Sequence, residues 1–100
     1  MLYMVTMRTL DNDDNVHTYA KIGKTHDWLK RVVMYVTHNP AAQVVGFHEG
    51  YTKAERKAHT RLLKSFGCTK VVRYGITTEW VELPKNLTVQ EIAKRMKYEL

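Results

Sequence analysis

Two segments of alternating residue type, 2–7 and 16–22, flank the polar run Asp11-Asn12-Asp13-Asp14-Asn15. Both carry β-branched and aromatic residues, so the spacing predicts two strands joined as a hairpin with a rather long loop. The loop superficially resembles a calcium site. Val16 and Ile22 stand where such a loop needs its sixth-position glycine and twelfth-position glutamate, and that reading is rejected. An opening hairpin commits the chain to a sheet, and later segments must cover it. Period 2 puts Tyr19, Lys21 and Gly23 on one face of the second strand and Ala20 and Ile22 on the other, while Tyr3 and Val5 share a face of the first.

Gly23 is expected to end the second strand, and Asp27 to cap a helix from about Trp28 to Thr37 with the apolar stripe Trp28, Leu29, Val32, Val33 and Val36. Asn39-Pro40 stops it, because a proline disfavours helical geometry in the residue before it. Residues 42–48 read as a third strand. Thr52 opens a helix to about Ser65, closed by Gly67, and residues 70–82 are extended in two pieces split by Gly75. Beyond Pro84, Leu87-Thr88-Val89-Gln90-Glu91-Ile92 begins a helix over about 88–99 with a capping box and a hydrophobic staple. The expected architecture is α+β: β-β-α-β-α, an extended segment and a last helix, around a small three-stranded antiparallel sheet flanked by helices. It forms one domain over 1–100, with a core over about 2–83.

A chain of 100 residues suits one domain, and its 44% hydrophobic content excludes the disordered and low-complexity classes. A net charge of +6 leans towards an anionic partner, although solubility alone also accounts for it. The single cysteine, Cys68, excludes an internal disulfide and any multi-thiolate metal site, and is expected to be a small buried or half-buried side chain. Residues 1–7 have neither the basic start nor the cleavage site of a signal peptide, and no apolar run approaches the ~20 residues that span a bilayer. The expectation is a cytoplasmic protein with no membrane role.

The helix over 52–65 carries the most chemical information. Tyr51, Ala54, Ala58, Leu62 and Phe66 share one face, while Lys53, Lys57, Thr60, Arg61 and Lys64 lie opposite. Glu55 and His59 interrupt the apolar sector one turn apart, and a carboxylate facing a core is costly unless it is paired or binds a cation. Thr52-x-x-Glu55 is also a capping box, which alone would account for Glu55. Thr88-x-x-Glu91 has the same pattern, but there the glutamate points away from the apolar face and acts only as a cap. On the first helix Arg31 and Tyr35 lie at i, i+4 beside the apolar stripe, with Asp27 and His38 near the same edge. Tyrosine, lysine, arginine and an inward glutamate at one sheet surface suit a phosphodiester: cations for the phosphate, a phenol to move a proton, a carboxylate for a divalent metal. Each alone also has a plain reading as packing or solvated surface.

The run Lys21-Ile22-Gly23-Lys24-Thr25, with Arg31 eight residues after the glycine, resembles the GIY-YIG nuclease superfamily, in particular its short phage and bacterial branch with K-I-G-K-T in place of Y-I-G. Leu2-Tyr3-Met4 stands where the first motif strand belongs. Tyr35 falls where many members carry Tyr or His, Ala54-Glu55 with His59 matches an A-E-x-x-x-H helix, and Thr78-Glu79-Trp80-Val81-Glu82-Leu83 matches the closing strand. The resemblance implies hydrolysis of DNA phosphodiesters with one divalent cation, Mg2+ or Mn2+, on Glu55. It implies that Arg31 neutralises the scissile phosphate, Tyr3 positions or activates water, and Tyr35 completes the phosphate pocket, with His59 beside Glu55. Leu2 replaces a family glycine, Lys21 replaces the second-motif tyrosine, and the late asparagine of many members has no clear counterpart. The general base is therefore open between Tyr19, Tyr3, a deprotonated Lys21 and metal-bound water. Lys24, Lys30, Lys70 and Arg73, near motif ends, would hold flanking phosphates. A homodimer or a recruiting protein are further expected partners. The alternatives are a nucleic-acid-binding module that has lost cleavage, or a small phage protein that binds a host protein.

Overall fold

A computed structural model of the chain describes residues 2–48, 57, 60, 61 and 64–99, the side chains of 46–48 and 96–99 aside. Strands β1 (Leu2–Leu10) and β2 (Val16–Lys24) pair antiparallel from Leu2↔Lys24 to Leu10↔Val16. The polar run between them is a closed turn. Asp11 Oδ1 accepts from the N–H groups of Asp13 at 2.8 Å and Asn15 at 3.0 Å, so this carboxylate holds the loop together. Gly23 does not end β2; it lies within it, opposite Tyr3.

Helix α1 (Trp28–His38) begins where Asp27 Oδ1 accepts from Lys30 N–H at 3.1 Å. It ends where Asn39, extended at φ −147°, donates its N–H to the Tyr35 carbonyl at 2.9 Å. Both ends follow the expectation, and the extended Asn39 reflects Pro40 behind it. Strand β3 (Gln43–His48) then pairs antiparallel with β1.

The sheet is larger than expected. The segment after Gly67 forms β4 (Thr69–Arg73) and β5 (Ile76–Glu82), and β5 docks antiparallel on β2, giving a five-stranded sheet in the order β3-β1-β2-β5-β4. Three strands would have left one edge of β2 unpaired; the second hairpin covers it. The C-terminal helix α2 (Val89–Glu99) starts with Thr88 Oγ1 accepting from Glu91 N–H at 3.1 Å, as its capping box predicts.

Alternation along β1 and β2 divides the core in two. Leu2, Met4, Ala20 and Ile22 pack with Val81, Leu83, Cys68, Phe66 and, from α2, Val89 and Ile92. Leu2, Met4 and Ile92 are fully buried, each contributing roughly 1.5–3 kcal/mol. On the other face Tyr3 and Val5 pack with Ala42, Met7, Val44, Trp80 and, from α1, Trp28 and Tyr35.

The expected inner stripe of α1 needs correction. Trp28 and Tyr35 face the sheet, whereas Leu29, Val33 and Val36 are 72%, 55% and 41% exposed. The apolar sector of this helix is wider than the sheet surface it meets, and the two aromatics reach furthest. Of the helix expected over 52–65, Lys57, Thr60, Arg61 and Lys64 are helical, and Gly67 beyond it takes φ +71°, as a helix-terminating glycine does. Tyr51, Thr52, Lys53, Ala54, Glu55, Ala58, His59 and Leu62 lie outside the described residues.

Candidate functional site

On the α1 side of the sheet, the register sets Tyr3 opposite Gly23, Val5 opposite Lys21 and Met7 opposite Tyr19. The face-sharing expected from period 2 is thus realised across both strands. The Tyr3 ring lies over Gly23 so closely that a Cβ at residue 23 would overlap its hydroxyl oxygen and Cζ. Glycine is needed here for the close approach of a ring, not for a turn. Trp28 and Tyr35 pack on the same tyrosine, with ring centroids 6.2 and 5.8 Å away, and the hydroxyls of Tyr3 and Tyr35 share a hydrogen bond at 3.1 Å. Tyr3 is only 3% exposed, so its phenol is oriented by packing from three sides.

Arg31 lies between Trp28 and Tyr35 on the stripe of α1 that their spacing defines, and is half-buried. Its guanidinium reaches Met34 Sδ at 4.0 Å. A cleft of about 390 Å³ opens beside it, lined by Thr25, His26, Asp27, Lys30, Arg31 and Met34. The chain enters this cleft directly from the K-I-G-K-T run. Thr25 Oγ1 accepts from Asp27 N–H at 3.0 Å and lies 3.1 Å from the Asp27 carbonyl, which fixes the bend between β2 and α1. Lys30, Arg31 and His26 therefore face one space, against a single carboxylate that already caps the helix.

The other expected site residues spread outward from this centre. Lys21 pairs with Glu79, Nζ to Oε2 at 3.2 Å, so this cation is held by a neighbouring strand. Tyr19 is separate: four positions along β2 from Gly23 is about 13 Å. There it stacks on His17, ring centroids 6.4 Å apart and planes 17° apart. Lys24 is exposed at the end of β2, and Lys70 and Arg73 are exposed on β4, at the edge of the sheet opposite β3. Glu55 and His59 lie outside the described residues.

Several residues of this surface were given no site role from the sequence. His26 follows the motif directly and lines the Arg31 cleft; Glu79 and Trp80, matched only as part of the closing strand, supply a partner to Lys21 and packing to the cluster of Tyr3, Val5 and Ala42. His17 has Nε2 at 2.9 Å from Asp11 Oδ2 and Nδ1 at 3.2 Å from Glu82 Oε2. The hydrogen bond to Asp11, then that to Glu82, raises its pKa, and the same contact is the main cause holding Asp11 down at about 2. Only the tertiary pairing of β2 with β5 brings Glu82 to this histidine.

Among the described residues no group of His, Cys, Asp and Glu forms that could hold a metal ion, and no helix is long and apolar enough to cross a membrane. A family model described as the T5orf172 domain matches residues 1–97. No curated protein and no solved structure matches the chain.

Proposed function

The chain belongs to the T5orf172 domain family, and from that premise we propose that it acts on nucleic acid as a GIY-YIG-type DNA endonuclease. The observation that carries this reading is the Tyr3–Gly23 packing, with Tyr35 bonded to the same phenol and Arg31, one turn before Tyr35 on α1, lining a basic cleft. The first-motif tyrosine and the second-motif glycine of the sequence resemblance are in contact, although they come from separate strands, and the helix arginine follows on the same stripe of α1 as Trp28 and Tyr35.

In this reading Arg31, with Lys30, receives the scissile phosphate at the mouth of the cleft, where a guanidinium stabilises the charge that grows as water adds to phosphorus. The paired phenols of Tyr3 and Tyr35 orient the attacking water. As its oxygen bonds to phosphorus the P–O bond to the leaving sugar oxygen breaks, the proton of the water passes to solvent, and the leaving oxygen takes one up from solvent. Lys21 sits one alternation step away on β2 and, shared with Glu79, adds positive potential rather than a second phenol. The described residues do not themselves fit a divalent cation. Glu55 would be the residue that holds Mg2+ or Mn2+, and Mg2+ is commonly bound through only one or two carboxylates. When bound, such an ion polarises the phosphoryl oxygen and lowers the pKa of water.

Supercoiled plasmid, incubated with Mg2+ or Mn2+, with chelator, and with Glu55→Ala and Arg31→Ala, tests the proposal. Metal-dependent nicking that both substitutions abolish is expected. DNA binding without nicking in either metal would overturn cleavage in favour of a second reading, a binding module on the same scaffold. One observation favours that second reading: the residue in the second-tyrosine position, Lys21, is occupied by an ion pair.

A further inference from the structure

The β4–β5 hairpin ends in a two-residue turn, Tyr74-Gly75, with Arg73 and Ile76 paired on either side. Both turn residues have positive φ, 53° for Tyr74 and 75° for Gly75, which is the type I′ pattern. Such turns favour Asn-Gly, and a bulky side chain in the left-handed region is strained. Tyr74 is nonetheless fully exposed, at 101%, so its ring makes no packing contact that could offset the strain. Folding explains the glycine of this turn and not the tyrosine.

The surroundings of the tip point to a ligand. Val72 and Ile76 are half or more exposed on the two sides of the ribbon. Between Thr69 and Thr78 the chain carries Lys70 and Arg73 and no acidic residue. Because β5 runs antiparallel to β2, the tip lies at the end of the sheet that holds Lys24 and the Arg31 cleft. A shallow depression lined by Tyr19, Trp80, Arg73 and Thr78, among others, carries the same sheet face from the hairpin towards the Tyr3 cluster.

We propose that the β4–β5 hairpin is a nucleic-acid-contacting arm in which Tyr74 stacks on a base freed from the helical stack, while Arg73 and Lys70 meet the flanking phosphates. The preferred ligand is DNA with a bulged or splayed base, because a lone aromatic ring at a ribbon tip gains most from a π-face that is already unstacked. This inference rests on the nucleic-acid reading above and assigns that reading a substrate class.

The test is a duplex carrying one bulged 2-aminopurine, compared with a perfect duplex, at two salt concentrations. The wild-type chain is expected to prefer the bulged duplex and to quench the 2-aminopurine. Tyr74→Phe should keep both properties. Tyr74→Asn should unfold at the same or higher temperature, since asparagine suits the turn, yet bind the bulged duplex about fivefold or more weakly and lose the quenching. Arg73→Ala should lower the slope of log affinity against log salt by about 1. Unchanged affinity and quenching in Tyr74→Asn would overturn the arm while leaving DNA binding intact. Tyr74-dependent binding confined to anionic lipid vesicles would overturn it in favour of a membrane surface. No binding of the wild-type chain to either duplex would overturn the underlying nucleic-acid reading as well.

Discussion

Tyr3 of β1 lies across the backbone of Gly23 on β2, in the space a Cβ would take. Strand propensity alone predicts that Gly23→Ala stabilises the protein, because glycine costs conformational entropy. The geometry predicts the opposite sign, a loss of about 1–3 kcal/mol from overpacking. Urea unfolding of Gly23→Ala, Tyr3→Ala and the double variant checks the cause: the alanine should cost far less once the ring is gone. Strictly additive losses would rule out the ring as the reason for the glycine.

Tyr35→Phe removes one hydroxyl of the Tyr3–Tyr35 pair and leaves the ring packing in place. The expected loss is about 0.5–1.5 kcal/mol of stability. If the pair orients water, the nicking rate should fall while DNA affinity stays level. A loss of affinity with an unchanged rate would instead place Tyr35 on the phosphate.

The Asp11–His17–Glu82 contacts tie the first hairpin to β5 and make stability depend on pH. The pKa of His17 is raised above 6.5 by its hydrogen bond to Asp11 and then by that to Glu82. Its contribution is therefore complete below 6.5 and is lost as pH rises through the folded value. Asp11 is lowered from 3.8 to about 2, so its contribution is present above 3.8 and is lost as pH falls towards 2. Melting temperatures should decline on the alkaline side more in the wild type than in His17→Gln. Parallel curves would show that the contacts carry no stability.

Cys68 is buried at 5% exposure, and burial pushes its thiol up to about 11. A thiol-specific reagent near neutral pH should label it only through unfolding, so the labelling rate should follow denaturant in step with global stability. Fast labelling of the native chain would contradict this burial.

Glu79 is 74% exposed at its side chain, and its pair with Lys21 is worth little to folding, within about 0–1 kcal/mol. Glu79→Gln should leave the unfolding midpoint nearly unchanged but strengthen low-salt DNA binding about two- to threefold, by removing an anion from a basic face. Fluorescence anisotropy at two salt concentrations separates this from a change in fold. Weaker binding would mean that Glu79 itself orients a contact.

Much of this surface is legible in one dimension because strand and helix periods are local. Alternation alone puts Tyr3 and Val5 on one side of β1 and Tyr19, Lys21 and Gly23 on one side of β2. Cap chemistry alone places the starts of α1 at Asp27 and α2 at Thr88. The outcome for α1 shows where this stops. Its apolar residues outnumber what one face can bury, and the pattern does not say that Trp28 and Tyr35 turn inward while Leu29, Val33 and Val36 stay in water.

The residue sequence by itself determined the hairpin, the helix ends, the membership of each strand face and the excess of positive charge. Tertiary structure alone decided that residues 69–82 complete a five-stranded sheet, that Glu79 reaches Lys21, that Glu82 reaches His17, and that Tyr35 meets Tyr3 from 32 positions away. The division has one physical cause. Backbone sterics and side-chain alternation act over a few residues, whereas strand partners and helix seating are chosen by burying apolar area against the entropy of closing long loops. That choice compares whole arrangements of the chain, and no local stretch contains it.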